Sequence, residues 1–307
     1  MQEAWIECVP NFSEGRRSQV IEAIVARIAS VDGARVLDRS LDPDHNRAVV
    51  TFAAPSDRVG EAAFAAVEAA TARIDLRRHS GVHPRMGATD VLPFVPLQGA
   101  TIGRAAEVAR SVGERIAREL KIPVYFYGAA AEGPRAVSLP EVRRGGFEAL
   151  REAIAADPAR APDRGPREVH PSAGATAVGA RDFLIAFNVN LETDDVELAR
   201  RIARAVRERD GGLPGVRALG WLLPEAGVVQ VSMNLCDWRR TSIEQAFDEV
   251  EQLASEVGAS VRESELVGLA PRAALDEAVA RRVRLAGFDP ALHTIEGRLG
   301  IPAGPPE

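Results

Sequence analysis

Apolar and polar positions alternate most legibly in the second half of the chain. Phe183-Leu184-Ile185-Ala186-Phe187-Asn188-Val189-Asn190-Leu191 is a short apolar and β-branched run, which predicts a buried strand. From Val196 to Arg207 the residues Leu198, Ile202 and Val206 recur at four-residue spacing, one face of a helix. Val216 to Leu223 and Val228 to Leu235 predict two strands joined in a hairpin by the turn Pro224-Glu225-Ala226-Gly227. Thr241 followed by Glu244 predicts a capping box that opens a helix carrying Ile243, Phe247, Val250 and Leu253. Ser260 to Leu266 is the last strand. The order βαββαβ is that of a ferredoxin-like unit, one antiparallel sheet with both helices on one face.

The first half repeats much of the theme. Strands are predicted over Trp5–Val9, Ala34–Leu37, Ala48–Ala53, Val91–Pro96 and Val124–Tyr127, and helices over Ser18–Ala29, Asp57–Ile74 and Ile102–Leu120. Between the halves, Asp157 to Gly179 contains Pro158, Pro162, Pro166 and Pro171 together with Gly165, Gly174 and Gly179. That composition predicts neither a helix nor a central strand, and its length marks a working linker. The expected class is α/β (α+β), with two ferredoxin-like-type layered subdomains, mixed or antiparallel sheets, and helices packed on one face. The first is expected over residues 1–180, linker included, and the second over 181–307.

Composition removes several kinds of chemistry. A chain 46% hydrophobic and 27% charged is globular. It holds no apolar run near the roughly 20 residues of a membrane span. Met1-Gln2-Glu3-Ala4-Trp5 lacks the pattern of a signal peptide, so a cytoplasmic protein with no membrane partner is expected. A net charge of −6 argues against a nucleic-acid surface. Cys8 and Cys236 are too few for a disulfide scaffold or a thiolate zinc site. Lys121 is the only lysine and sits at a helix end, where it complements the helix dipole. Schiff-base chemistry and phosphate-binding loops, which need a placed lysine, lose support accordingly.

Four segments carry candidate chemistry. Glu7-Cys8-Val9-Pro10-Asn11-Phe12-Ser13-Glu14-Gly15-Arg16 lies between a strand and a helix, where Ser13 could cap the helix or the polar groups could bind. Cys8, in an apolar strand end, reads as core. In Asp42-Pro43-Asp44-His45-Asn46-Arg47, Asn46 and Arg47 stand just before a strand, suited to carboxylate recognition or simply solvated. Arg77-Arg78-His79-Ser80-Gly81-Val82-His83-Pro84-Arg85-Met86-Gly87-Ala88-Thr89-Asp90 places two histidines four apart. Pro84 and Gly81 oppose the helix that a zinc pair would need, so no metal is expected. What remains is a loop histidine among arginines. Imidazole exchanges protons near neutrality, Arg77, Arg78 and Arg85 attract anions, and their charge favours neutral imidazole. Last, Gly165 to Arg181 has the glycines of a phosphate loop without its Lys-Ser/Thr, and small residues that let a flat ring approach or that serve as a hinge.

Glu7-Cys8-Val9-Pro10-Asn11-Phe12-Ser13-Glu14-Gly15, His83-Pro84-Arg85-Met86-Gly87-Ala88, Val124-Tyr125-Phe126-Tyr127-Gly128 and Phe183-Leu184-Ile185-Ala186-Phe187-Asn188 together resemble the glutamate formiminotransferase family. The likeness runs in order through Leu266-Val267-Gly268-Leu269, nearly the whole chain. It implies transfer of the formimino group of N-formimino-L-glutamate to N5 of tetrahydrofolate, a step of histidine breakdown and one-carbon metabolism. It also implies two α/β subdomains holding the substrates between them, a homodimer, and a separate cyclodeaminase, since the chain is short of the animal enzymes' second domain. By the same resemblance His83 is the catalytic general acid/base. Asn11, Asn46, Arg47, Arg78, His79, Arg85 and Gly87 then fall at the substrate. Gly165, Pro166, Arg167, Glu168, Val169, His170, Pro171, Ser172, Ala173 and Gly174 contact the folate. Tetrahydrofolate is the co-substrate, and no metal is implied.

Two positions depart from the animal pattern. Ser40 stands where those enzymes carry an aspartate that assists the histidine, with Asp38 and Asp42 beside it as substitutes. Ala173 replaces an aromatic residue in the folate stretch. Three rivals follow: a formiminoglycine-specific transferase of the same family, a non-catalytic folate- or amino-acid-binding module, and a metal-dependent hydrolase using His79 and His83.

Overall fold

The computed structural model describes residues 4–43, 45–81, 85–132, 139–223 and 227–301. The chain divides into two compact units, Met1–Arg181 and Asp182–Glu307.

In the first unit the elements run β1 (Trp5–Cys8), β2 (Asn11–Phe12), α1 (Ser18–Ala29), β3 (Arg35–Asp42), β4 (Arg47–Pro55), α2 (Val59–Thr71), β5 (Thr89–Pro96), α3 (Ile102–Arg115), β6 (Val124–Gly128), α4 (Leu139–Val142), α5 (Gly146–Ala156) and β7 (Thr176–Ala180). Among the described residues these strands form one mixed sheet, with β3 paired to β4 at one edge and the order ending β5-β7-β6. The β1–β4, β2–β4, β1–β5 and β3–β4 pairs are antiparallel. The β5–β7 and β6–β7 pairs are parallel.

Period-two alternation decides what each face carries. Ile6, Cys8, Phe12, Ala48, Val50, Phe52, Leu92 and Phe94 are buried in one core with Ile21, Ile24, Phe64, Val67 and Ala109 from α1, α2 and α3. Cys8 is thus core, as its apolar neighbours predicted. The intervening residues Glu7, Asn11 and Arg47 face away from those helices. A second core fills the opposite side of the sheet's parallel part, where Tyr125, Tyr127, Val91 and Ala177 meet Phe147, Leu150 and Ile154 of α5. The α/β class holds, and this unit carries helices on both faces of its parallel strands.

The proline- and glycine-rich stretch departs from expectation. Its last residues form β7, a buried strand hydrogen-bonded on both sides. Thr176-Ala177-Val178-Gly179-Ala180 lacks bulk, so it reads weakly as a strand, yet a crowded site needs small residues. A Cβ on Gly179 would stand 2.5 Å from Tyr127 Cε1. The flat ring that this glycine admits is the protein's own.

The second unit comprises β8 (Ile185–Leu191), α6 (Val196–Val206), β9 (Val216–Leu223), β10 (Val228–Leu235), α7 (Ile243–Ser255) and β11 (Val261–Val267), followed by short helices α8 (Glu277–Arg282), α9 (Pro290–His293) and α10 (Ile295–Leu299). Its strands are ordered β11-β8-β10-β9, all neighbours antiparallel, which is the ferredoxin-like arrangement predicted. Residues 224–226 of the predicted hairpin turn lie outside the described residues. Phe187, Val189 and Leu191 are fully buried on one parity of β8, while Asn188 and Asn190 occupy the other. The capping box of α7 sits one residue later than predicted. Ser242 is the N-cap and exchanges hydrogen bonds with Gln245, because Thr241 instead donates its hydroxyl to the Pro214 carbonyl at 2.7 Å.

Candidate functional site

The polar motifs of the first unit meet at a small cleft lined by Ser13, Asn46, Arg47, His79, Arg85 and Asp90. His83 itself, with Val82 and Pro84, lies outside the described residues. The residues on either side are held closely enough to define the site.

Asn46 is the hub of the upstream side. It has φ +48°, a left-handed conformation that asparagine tolerates better than most residues. Its Oδ1 accepts the Gly15 N–H at 2.9 Å and its Nδ2 donates to the Ser80 carbonyl at 2.9 Å. Its own carbonyl accepts from His79 Nε2, also at 2.9 Å. The side chain expected to meet substrate is therefore engaged in joining three loops. Asn46→Ala should cost about 2–4 kcal/mol, from two lost hydrogen bonds, one buried and one partly buried, and left-handed strain on alanine. Urea unfolding measures this, and a loss below about 1 kcal/mol would deny Asn46 the hub role.

His79 is neutral by construction. Nε2 faces a carbonyl and must carry the proton, while Nδ1 accepts from Arg85 Nε at 3.0 Å. Burial lowers its pKa and the Arg85 charge adds to this, against the hydrogen bond to Asn46. With both ring nitrogens engaged, no lone pair is left for a metal. A hydrolase built on His79 and His83 loses one of its two ligands on that ground.

Downstream, Arg85 grips Glu148 of α5 with Nη1 and Nη2 at 2.9 and 2.8 Å, and its backbone carbonyl accepts from Phe147 N–H at 2.7 Å. Met86 N–H donates to Asp90 Oδ1 at 2.7 Å. Ser13 donates its hydroxyl to the Gly87 carbonyl at 2.7 Å. It does not cap α1. Glu14 accepts the Arg16 and Arg17 N–H groups at 3.0 and 2.9 Å in the turn before α1, whose N-cap, Arg17, makes no side-chain capping bond. At Gly87 a Cβ would stand 2.0 Å from the Ala175 carbonyl oxygen, so no side chain fits.

Asp90 occupies a β-bulge. Asn11 pairs with Val91 and Phe12 with Thr89, leaving Asp90 the extra residue. A bulge re-aims a side chain that strict alternation would send into the core. The Asp90 carboxylate is 3% exposed and is paired with the Arg143 guanidinium. Burial pushes its pKa up, with Arg143 opposing. Arg47 donates to Asn11 Oδ1, and its buried Nε has no hydrogen-bond partner among the described residues. Burial lowers the Arg47 pKa, and repulsion from Arg143 lowers it further.

Asn11, Asn46, Arg47, His79, Arg85 and Gly87 thus converge. Arg78 is exposed, and Arg77 beside it pairs with Asp75 at 2.7 Å. Asp38, Ser40 and Asp42 alternate onto one side of β3, opposite Thr51, Val49 and Arg47. Asp42 accepts from His45 Nδ1 at 2.6 Å.

Of the folate stretch, only its end approaches the cleft. Ser172 O accepts from Leu76 N–H and Ala173 O from Ala88 N–H, both at 2.8 Å, and Gly174 bridges to Gly87. His170 Nδ1 accepts from Ala173 N–H at 3.0 Å, and burial lowers its pKa. Val169 and Ala173 are buried, so their side chains serve packing. Gly165, Pro166, Arg167, Glu168 and Pro171 are exposed and Ser172 is half-buried. Among the described residues no group of three His, Cys, Asp or Glu is placed to hold a metal, and no helix is long and apolar enough to cross a membrane. Ser13 and Asp90 line the cleft, and Arg143 and Glu148 pair with its Asp90 and Arg85; sequence patterns singled out none of the four as a site residue.

Comparison with known proteins follows the same division. Residues 5–181 match the formiminotransferase domain, N-terminal subdomain, and residues 186–284 match the formiminotransferase domain. A glutamate formimidoyltransferase of Thermoplasma acidophilum is 46% identical over 92% of this chain and 94% of its own length. One from Streptococcus pyogenes is 42% identical over 96% and 98%. The formimidoyltransferase-cyclodeaminase of Rattus norvegicus is 43% identical over 90% of this chain, which spans 52% of that longer protein.

Proposed function

The chain belongs to the formiminotransferase family, and we propose that His83 is the general acid/base with which it moves a formimino group from N-formimino-L-glutamate to N5 of tetrahydrofolate. It is a one-carbon group transferase of the glutamate formimidoyltransferase kind. The observation that carries this reading is the near full-length likeness to stand-alone glutamate formimidoyltransferases. The cleft supports it, because motif residues on both sides of position 83 gather there.

A formimino carbon is electrophilic when its nitrogen is protonated, so N5 of tetrahydrofolate attacks it directly. The proton lost by N5 passes to His83 and returns to the departing glutamate nitrogen. One group with a pKa near neutrality serves both transfers. Holding two substrates together supplies much of the remaining advantage. Arg47 is the carboxylate receptor in this scheme, and Asn46, His79 and Arg85 position the loop. Tetrahydrofolate lies along residues 165–174, with the exposed Arg167 and the backbone of His170 to Gly174 as its contacts.

The same reading makes the protein a cytoplasmic homodimer whose product, 5-formiminotetrahydrofolate, passes to a separate cyclodeaminase. The test is direct. Purified protein, N-formimino-L-glutamate and tetrahydrofolate should yield the absorbance of the folate product, with stoichiometric release of L-glutamate. No transfer from formiminoglutamate, with transfer from formiminoglycine, would move the protein to the rival donor. Folate binding without any transfer would make it a binding module.

A further inference from the structure

The first turn of α5 grips the downstream end of the segment that carries His83. Arg85 stands two residues after His83 and reaches back to His79, four residues before it. Its Nε donates to His79 Nδ1 at 3.0 Å and its Nη2 to the His79 carbonyl at 3.4 Å. One side chain thus ties the two ends of a short span together, which leaves the residues between them few arrangements. Arg85 is itself fixed by two consecutive residues of α5. Phe147 donates its backbone N–H to the Arg85 carbonyl at 2.7 Å, and Glu148 accepts from Nη1 and Nη2 at 2.9 and 2.8 Å. The helix is a firm base, because Phe147, Leu150 and Ile154 share a buried core with Tyr125, Tyr127 and Ala177 of the sheet.

Resting on the transferase reading above, we propose that Glu148 is a positioning residue for the transfer step: by fixing the Arg85 guanidinium it sets the place of His83, and it does so from outside the cleft. The resemblance put Arg85 at the substrate, but its partners give it another duty. Four of the five N–H groups of its fork are engaged by His79 and Glu148, and Glu148 neutralises its charge. Little of it is left for a substrate carboxylate. Glu148 is 59% exposed, and an ion pair that water reaches so freely contributes little to folding. What the pair provides is direction. Two parallel bonds to one carboxylate fix the plane of the guanidinium, and that plane aims Nε at His79. The hydrogen bonds from Arg85 hold the Glu148 carboxyl below its ordinary pKa, so the pair stays ionised at neutral pH.

The experiment measures kcat, and KM for formiminoglutamate and for tetrahydrofolate, in wild type and in Glu148→Gln, with urea unfolding of both. Glutamine keeps the shape but turns one acceptor into a donor that faces the fork. kcat should fall by about 5–20-fold, short of the roughly 100-fold that a full ångström of misplacement costs. Both KM values and the unfolding midpoint should stay at those of wild type, which separates placement of His83 from binding and from folding. Glu148→Asp keeps the charge on a shorter arm and should recover part of kcat. In Arg85→Lys the fork is already gone, so adding Glu148→Gln should cost little more. A normal kcat in Glu148→Gln overturns the assignment. So does a higher KM for formiminoglutamate at unchanged kcat, which would place the pair at the substrate, and so do losses that simply multiply in the double variant. A fall in kcat that comes with a lowered unfolding midpoint, and that Glu148→Asp does not relieve, would make the pair structural only. A wild type that transfers from neither formiminoglutamate nor formiminoglycine instead removes the transferase reading, and this one with it.

Discussion

Replacing His83 by alanine is expected to lower formimino transfer by about 10²–10⁴-fold, the usual worth of one general acid/base. Tetrahydrofolate should still bind, and thermal stability should change little. The chain on either side of the substitution is held by contacts that do not involve residue 83. Upstream, Ser80 O accepts from Asn46, and Gly81 packs against the His45 carbonyl, where a Cβ would stand 2.5 Å away. Downstream, Arg85 is tied to Glu148 and Phe147, and Met86 to Asp90 and Ala175. Loss of rate should therefore come without loss of fold.

Two further readings separate chemistry from structure. The pH profile of kcat/KM should lose the limb that reports imidazole ionisation, and added free imidazole should restore part of the rate. Near-normal turnover in His83→Ala would remove His83 from the mechanism. His79 would not replace it, because both of its ring nitrogens are committed to Asn46 and Arg85.

What could be read from sequence divides along a physical line. Helix α1 and strands β9 and β10 fall at the predicted ends, because apolar periodicity and turn residues are local signals. Strand β7 was hidden, since Thr176-Ala177-Val178-Gly179-Ala180 is built for close approach by Tyr127 and not for bulk. Helix α5 has no clear start in the sequence although Phe147, Leu150 and Ile154 keep helical spacing, because Gly145-Gly146 opens it without a recognisable cap. At the site, Asn46, Arg47, His79 and Arg85 were legible as polar residues crowded into two short motifs.

Their duties were not legible. Whether Asn46 binds a ligand or ties loops together depends on where Gly15 and Ser80 arrive. Asp90 escaped because its direction is set by a bulge against β2. Arg143 and Glu148 reach the cleft across more than fifty residues of chain, which no local pattern encodes.

Glu7→Gln should make the protein more stable at alkaline pH and should flatten its stability between about pH 4.5 and 7. Glu7 alternates out of the core between Ile6 and Cys8, is 3% exposed, and has Arg181 as its charged neighbour. Burial pushes its carboxyl from 4.5 up to about 7, with Arg181 offsetting part of the effect. The folded state thus holds the proton more tightly than the unfolded chain does. The stability this proton confers is fully present below pH 4.5 and is lost as pH rises through 7. The gap between the two values, at about 1.4 kcal/mol per unit, corresponds to about 3 kcal/mol. Glutamine keeps the shape and cannot ionise, so the variant escapes the loss. Above pH 8 it should exceed wild type by up to about 3 kcal/mol, less whatever attraction to Arg181 is given up. Urea unfolding of both proteins at half-unit steps from pH 5 to 8.5 measures the difference. Parallel curves across that range would show that Glu7 is ionised throughout, held by Arg181 more strongly than its burial opposes.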